Sequence, residues 1–170
     1  MCEFMATVSS TAVFSSEERV HRYLLTRKWQ EEASKATVIM LNPSYADEIK
    51  GDLSVMKVMN YLVDEGFGCI NVVNLFAYVS PTPESLANNK DAVGNKNDDF
   101  IKKAIEDSDM IIIAWGSDKK KYIRRKRAVM SLLKGHEAKI KCFKDKDGKM
   151  GRHPSRLGFD LELIDFTSND

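Results

Sequence analysis

The stretch Asp109–Ser117, DMIIIAWGS, constrains the fold more than any other. A short run this apolar offers no polar face to water, so as a strand it must be covered on both sides. Similar runs recur in ATVIMLNPS (36–44), CINVVNLFAYVS (69–80) and AKIKCFK (138–144). Helical spacing fills the gaps between them. Leu53, Val55, Met56, Met59, Leu62 and Val63 mark one helix, and Phe100, Ile101, Ala104 and Ile105 form one face of a second. DKKKYIRRKRAVMSLLKG (118–135) reads as a third, basic helix with a glycine stop. Strand and helix in strict alternation predict a parallel sheet clothed by helices. The expected fold is α/β, a three-layer α/β/α sandwich around a central, mostly parallel four-stranded sheet. Ahead of it, residues 1–16 read as an irregular or strand-forming lead, and SSEERVHRYLLTRKWQ (15–30) as a helix with Ser16 as N-cap and two acids in its first turn. Neither a repeat nor a linker divides the chain, so one domain over 1–170 is expected.

With 170 residues the chain is long enough for a sizeable core. Its formal net charge of +1 announces no global field for nucleic acid, so any such partner must be held by a local patch. Cys2, Cys69 and Cys142 are scattered, odd in number and without metal-ligand spacing, which points to a reducing cytoplasm. No apolar stretch reaches the ~20 residues of a membrane span, and the N-terminus lacks the basic start and apolar core of a signal peptide.

Three polar corners, LNPS, NLFAYVSPTP and WGSDKK, each follow an apolar strand. In an open parallel sheet those carboxyl ends share one edge, where ligands bind. Asn42-Pro43 is either a simple strand exit or part of a site; Ser44, Tyr45 and Asp47 add more polar groups than a turn needs. Asp47 is open to a capping or a catalytic reading. Asn74 sits in an otherwise apolar run, where an unpaired buried amide costs roughly 1–3 kcal/mol, so it calls for a ligand or a fixed polar network. Phe76, two residues on, shares its face as core or as a stacking platform. His153 lies in a Gly-flanked, Pro-fixed loop and not on an apolar helix face. Arg22 is a phosphate or carboxylate ligand, with Asp47 as one possible partner, or a surface ion-pair residue. Gly116 and Ser117 are read as opening the basic helix, where backbone amides hold phosphate. DKKKYIRRKR packs seven of the chain's 26 cations into ten residues, with Lys119, Lys120 and Arg124 as candidate phosphate contacts; a solvated face is the bland alternative.

Taken in order, HRYLLTRKW, VIMLNPSYAD, NVVNLFAYVSPTP, GNKNDDFI, IIIAWGS and GRHPSRL resemble the bacterial domain of unknown function 1643 family over most of the chain. The series LNPS, VNLF, IIIAWGS, HPSRL is also similar, more distantly, to the signature motifs of the uracil-DNA glycosylase superfamily. That likeness implies a glycosylase-type sandwich. It also implies roles: Asn42 positions the attacking water, Asn74 reads the pyrimidine edge, and His153 steadies charge on the departing base. Ser155 meets phosphate, and Leu157 is the wedge behind an extruded base. Three departures stand out. Met40 replaces the glycine opening the first motif, Asn42 stands where an acid is usual, and Arg156 replaces a second proline of the wedge loop. An amide orients water but cannot take its proton, so His153 or Asp47 would have to help.

Zinc, triphosphate and serine-hydrolase sites lack their spacings, and DKDG (145–148) lacks the closing glutamate of a calcium loop. No metal or cofactor is expected. The expected activity is hydrolysis of the N-glycosidic bond of a uracil-like or modified base in DNA. Two rivals stand beside it: a non-catalytic nucleic-acid or nucleotide recognition module, and a hydrolase or transferase of free nucleosides or nucleotides.

Overall fold

The four apolar runs form the parallel centre of a larger sheet. In the computed structural model, which describes residues 1–86, 89–118 and 120–167, they are β3 (Lys35–Met40), β4 (Cys69–Asn74), β5 (Met110–Ile113) and β6 (Ile140–Phe143). β4 pairs with β3, β3 with β5 and β5 with β6, all parallel. Three further strands make the sheet seven-stranded and mixed, so the expected four-stranded sheet is too small. β1 (Ser9–Phe14) and β2 (Arg22–Lys28) extend the β4 edge antiparallel, and β7 (Leu163–Asp165) does the same beside β6. The order is β1-β2-β4-β3-β5-β6-β7.

β2 overturns the helix expected over 15–30. Ser16 and the two acids do start a turn, closed by Arg19 N–H donating to the Ser16 carbonyl, but Arg19 adopts a left-handed φ of 56° and the helix never propagates. Beyond it, Leu24 packs into the core on one sheet face and Leu25 into the core on the other, the two-residue alternation of a strand. The backbone groups of β4 on that side would otherwise form an open edge, and Leu25–Lys28 pair with them. Cross-strand pairing thus outweighs local helix propensity.

α1 (Leu53–Asp64) covers one face, where Val55, Val58 and Leu62 join Val38, Ile70, Val72 and Ile112. α2 (Asn97–Glu106) and α3 (Ile123–Leu132) cover the other, where Ile101, Ile105 and Val129 meet Ile39, Val73, Ile111 and Ile113. The sheet is therefore sandwiched between helical layers. α3 begins at Ile123, six residues beyond Ser117, so Gly116 and Ser117 do not open it as expected. Among the described residues no helix is long and apolar enough to cross a membrane.

The chain passes from β3 through α1 to β4 on one side, then through α2 to β5 on the other side of β3. That reversal splits the loops at the carboxyl ends of β3 and β5 apart and opens a crevice between them.

Candidate functional site

A cavity of about 690 Å³ occupies that crevice. Its wall comes from the ends of β3, β4 and β5, from the start of α1, and from the loop 149–156. Of the residues singled out in the sequence, it brings together Arg22, Asn42, Ser44, Asn74, Gly116, Ser117, His153, Ser155 and Arg156. Two corners are locked to each other beside it. Asn42 Nδ2 donates to the Ser80 carbonyl at 2.8 Å and to the Pro43 carbonyl at 3.1 Å, while Ser80 N–H donates to the Pro43 carbonyl at 2.9 Å. With both amide protons spent on carbonyls, Asn42 has only Oδ1, an acceptor, left to offer.

Asn74 closes β4 and is 1% exposed, yet neither its Oδ1 nor its Nδ2 has a protein partner. Its backbone is well held, because Asn97 Nδ2 donates to the Asn74 and Leu75 carbonyls at 3.0 and 3.1 Å and Arg125 Nε donates to the Leu75 carbonyl at 2.6 Å. A main chain this fixed carrying an unpaired buried amide at a cavity wall is costly in the unliganded protein.

Sequence reasoning missed Asp52, which among the described residues is the one carboxylate of the cavity wall, as well as Lys149 and Arg152. Asp52 is the N-cap of α1, with Oδ1 accepting from Val55 N–H at 2.8 Å and Oδ2 from Ser44 Oγ at 3.1 Å. Its sequence signal is the capping pattern itself, an Asp followed by the first helical turn, which looks structural until the fold turns that helix end toward the cavity. Each carboxylate oxygen keeps a second lone pair for a water or a ligand.

His153 faces the same cavity and is half-buried. Its Nδ1 accepts from Ser155 N–H at 3.3 Å and lies 2.9 Å from Ser155 Oγ. An amide N–H can only donate, so Nδ1 is the unprotonated nitrogen and Nε2 carries the proton. Burial pushes the imidazole pKa below 6.5, with the Asp52 charge pulling up and Arg156 pushing further down. The neutral ring is thus the resting state. α1 holds this loop in place through the buried Lys57, whose Nζ donates to the Leu157 carbonyl at 2.7 Å and to that of Pro154 at 3.3 Å. Gly151 fastens its start, accepting from Gly116 N–H at 2.8 Å; its φ of 67° favours glycine, and a Cβ there would crowd Ile113 Cγ2 at 3.2 Å.

The wall is basic. Among the described residues, Arg22, Lys149, Arg152 and Arg156 stand against Asp52 alone, and of these four cations only Arg152 is matched by an ion pair, with Asp145 at 2.8 Å. Among the described residues no three His, Cys, Asp or Glu side chains gather as a metal site would require.

The remaining sequence candidates lie elsewhere. Asp47 stays out of the cavity: its Oδ1 caps the Ile49 and Lys50 amides at 2.9 and 2.7 Å, which holds its pKa below the ordinary value, and its Oδ2 pairs with Arg19 at 3.0 Å. Tyr45 is 66% exposed outside it. Phe76 is buried core, edge-on to Tyr122 at 5.0 Å. Leu157 packs onto the α1-side core. Lys120 lines a neighbouring groove along α3, Arg124 is exposed and lines neither, and Lys119 lies outside the described residues.

A family model for a protein of unknown function, DUF1643, matches residues 22–155. The chain belongs to the DUF1643 family. The DUF1643 segment opens at Arg22 and closes at Ser155, so it contains every residue of the cavity wall except Arg156. No curated protein and no solved structure matches the chain.

Proposed function

We propose that the protein hydrolyses the N-glycosidic bond of a uracil-like or modified base in DNA, on a fold of the uracil-DNA glycosylase type. One observation carries this reading: Asn74 lines the cavity, and the donor and acceptor of its buried amide are both unpaired among the described residues. A pyrimidine lactam edge is their complement, its N3–H donating to Oδ1 and its O4 accepting from Nδ2. Around that anchor, Asn42 Oδ1 orients a water and Asp52 takes its proton as the water oxygen attacks C1′. The C1′–N1 bond breaks, its electron pair leaves with the base, and the Nε2–H of neutral His153 stabilises the anion. Asp52 therefore fills the gap that an amide at position 42 leaves.

A second reading, action on free nucleotides, draws on Leu157 and Arg124. The first is partly buried against the α1-side core and the second lies outside the cavity, so neither the wedge nor that phosphate contact suits a gripped duplex.

Release of base from single- and double-stranded oligonucleotides carrying uracil or modified pyrimidines, and from the free nucleotides, decides between them. Alkali-labile sites that vanish in Asp52→Asn support DNA hydrolysis. Base released only from free nucleotides moves the function to the second reading. Binding without release on any substrate would make the protein a recognition module.

A further inference from the structure

Arg22 is 1% exposed, among the largest fully buried side chains of the protein, and it lines the cavity. Buried guanidinium groups are ordinarily paired with a carboxylate and hydrogen-bonded throughout. Here the guanidinium makes one protein hydrogen bond, from Nη1 to the Ala46 carbonyl, and its Nε is buried without a partner. Among the described residues no carboxylate lies within ion-pair distance of it. The two acids whose charge reaches it, Asp52 and Asp47, make no ion pair with it; Asp52 caps α1 and accepts from Ser44, and Asp47 pairs with Arg19 and two backbone amides. Arg27 adds a second positive charge nearby. Burial accordingly depresses the Arg22 pKa to about 10, still well above neutrality, so the group remains a cation.

We infer that Arg22 is the anion-binding group of this cavity, and that the ligand brings an acidic group, phosphate or carboxylate, to it. The fork of a guanidinium matches either oxyanion, and an anion arriving here would supply the counter-charge that the fold withholds. The inference deepens the proposed function and, for the base half of the ligand, rests on it: the substrate is then a base bearing an acidic substituent, or a nucleotide whose phosphate enters the cavity with its base. A cavity of about 690 Å³ is roomy enough for a ligand larger than a bare pyrimidine ring.

Calorimetric titration of the full chain with uridine, uridine 5′-monophosphate, 5-carboxyuridine and inorganic phosphate tests this, in wild type, Arg22→Gln and Arg22→Lys. The expected result is that at least one of the two acidic nucleosides binds roughly thirtyfold or more tighter than uridine, and that Arg22→Gln erases this preference. Tightening by the monophosphate assigns the anion to the phosphate, and tightening by 5-carboxyuridine assigns it to the base. Arg22→Lys keeps the charge without the fork; retention of part of the preference by that variant supports the assignment even where Arg22→Gln fails to fold. Equal affinity for uridine and both acids overturns the inference, as does a preference that survives in folded Arg22→Gln. Phosphate binding lost in Arg22→Gln, with no nucleoside bound, upholds the anion site and removes the base reading. Binding of neither phosphate nor nucleosides overturns the anion site.

Discussion

The side chain of Asn42 donates to the Ser80 carbonyl at 2.8 Å, and the loop after β3 is thereby tied to the loop after β4. The bond sets the orientation of the amide, because two carbonyl oxygens surround Nδ2 and only a donor can face them. The corner that opens the first polar motif is thus a clamp as well as a wall of the cavity.

Asn42→Asp tests that clamp. Under the proposed mechanism a carboxylate at this position could take the proton that an amide cannot, but here a carboxylate oxygen would meet the Pro43 and Ser80 carbonyls. The variant is expected to lose about 1–3 kcal/mol, with each kcal/mol lowering Tm by about 2–4 °C, and to gain no activity. Thermal unfolding followed beside the base-release assay checks both halves. A stable, faster Asn42→Asp protein would mean that the amide is not held by those carbonyls.

Asp52→Asn separates capping from chemistry. Asparagine caps a helix about as well as aspartate, so the Val55 N–H keeps its acceptor and Tm should move little. Loss of the base should nevertheless slow hydrolysis about 10²–10⁴-fold while leaving ligand affinity nearly intact. Single-turnover rates and binding isotherms on the same protein provide the comparison. Undiminished hydrolysis would remove Asp52 from the mechanism.

Asn74→Leu trades function for stability. The substitution replaces an unpaired buried amide with an apolar side chain of similar size, so the unliganded protein should gain about 1–3 kcal/mol. Base binding should disappear in the same variant. A chemical denaturation midpoint that falls instead would show that the amide already has a partner, such as a buried water.

The pH dependence follows from His153. Its pKa in the folded protein lies below 6.5 because burial disfavours the imidazolium, so the unfolded chain binds its proton first as the solution is acidified. Its contribution to stability is therefore complete above about 6.5 and is lost as pH falls through the folded-state pKa. Protonating Nδ1 also breaks the bond from Ser155 N–H, so activity should be flat near neutrality and decline on the acid side. An NMR titration of the ring checks this, with His153→Gln as the spectral assignment control. A midpoint above 6.5 would contradict it.

Much of the framework was legible in the sequence because it rests on local periodicity. Ile111, Ile112 and Ile113 have no polar face, so β5 had to be an interior strand. The helical spacing that includes Val55 and Leu62 marks α1, although Leu53, Met56 and Val63 of that series stand exposed and Val58 is buried instead. The spacing of Ile101, Ala104 and Ile105 marks α2. The polar corners at Asn42, Asn74 and Ser117 were visible for the same reason, as breaks in apolar runs, and the order of the parallel strands brings them to one cavity, which His153 joins from its Gly-flanked, Pro-fixed loop.

What only the tertiary structure decided are the features set by partners distant in the chain. Arg22 to Lys28 carries a helix-like prelude, and becomes a strand because the edge of β4 supplies hydrogen bonds that a helix there could not use. Asp52 looks like an ordinary cap until β3 and β5 diverge and aim the start of α1 at the cavity. Asp47 is open to a capping or a catalytic reading until the Ile49 and Lys50 amides occupy it. Arg22 reads equally as an anion ligand or a surface ion-pair residue until packing buries it with, among the described residues, no carboxylate at ion-pair distance. Periodicity reports which face of an element is buried. Burial of a particular charge, and the absence of its counter-charge, depends on packing among segments that the sequence keeps far apart.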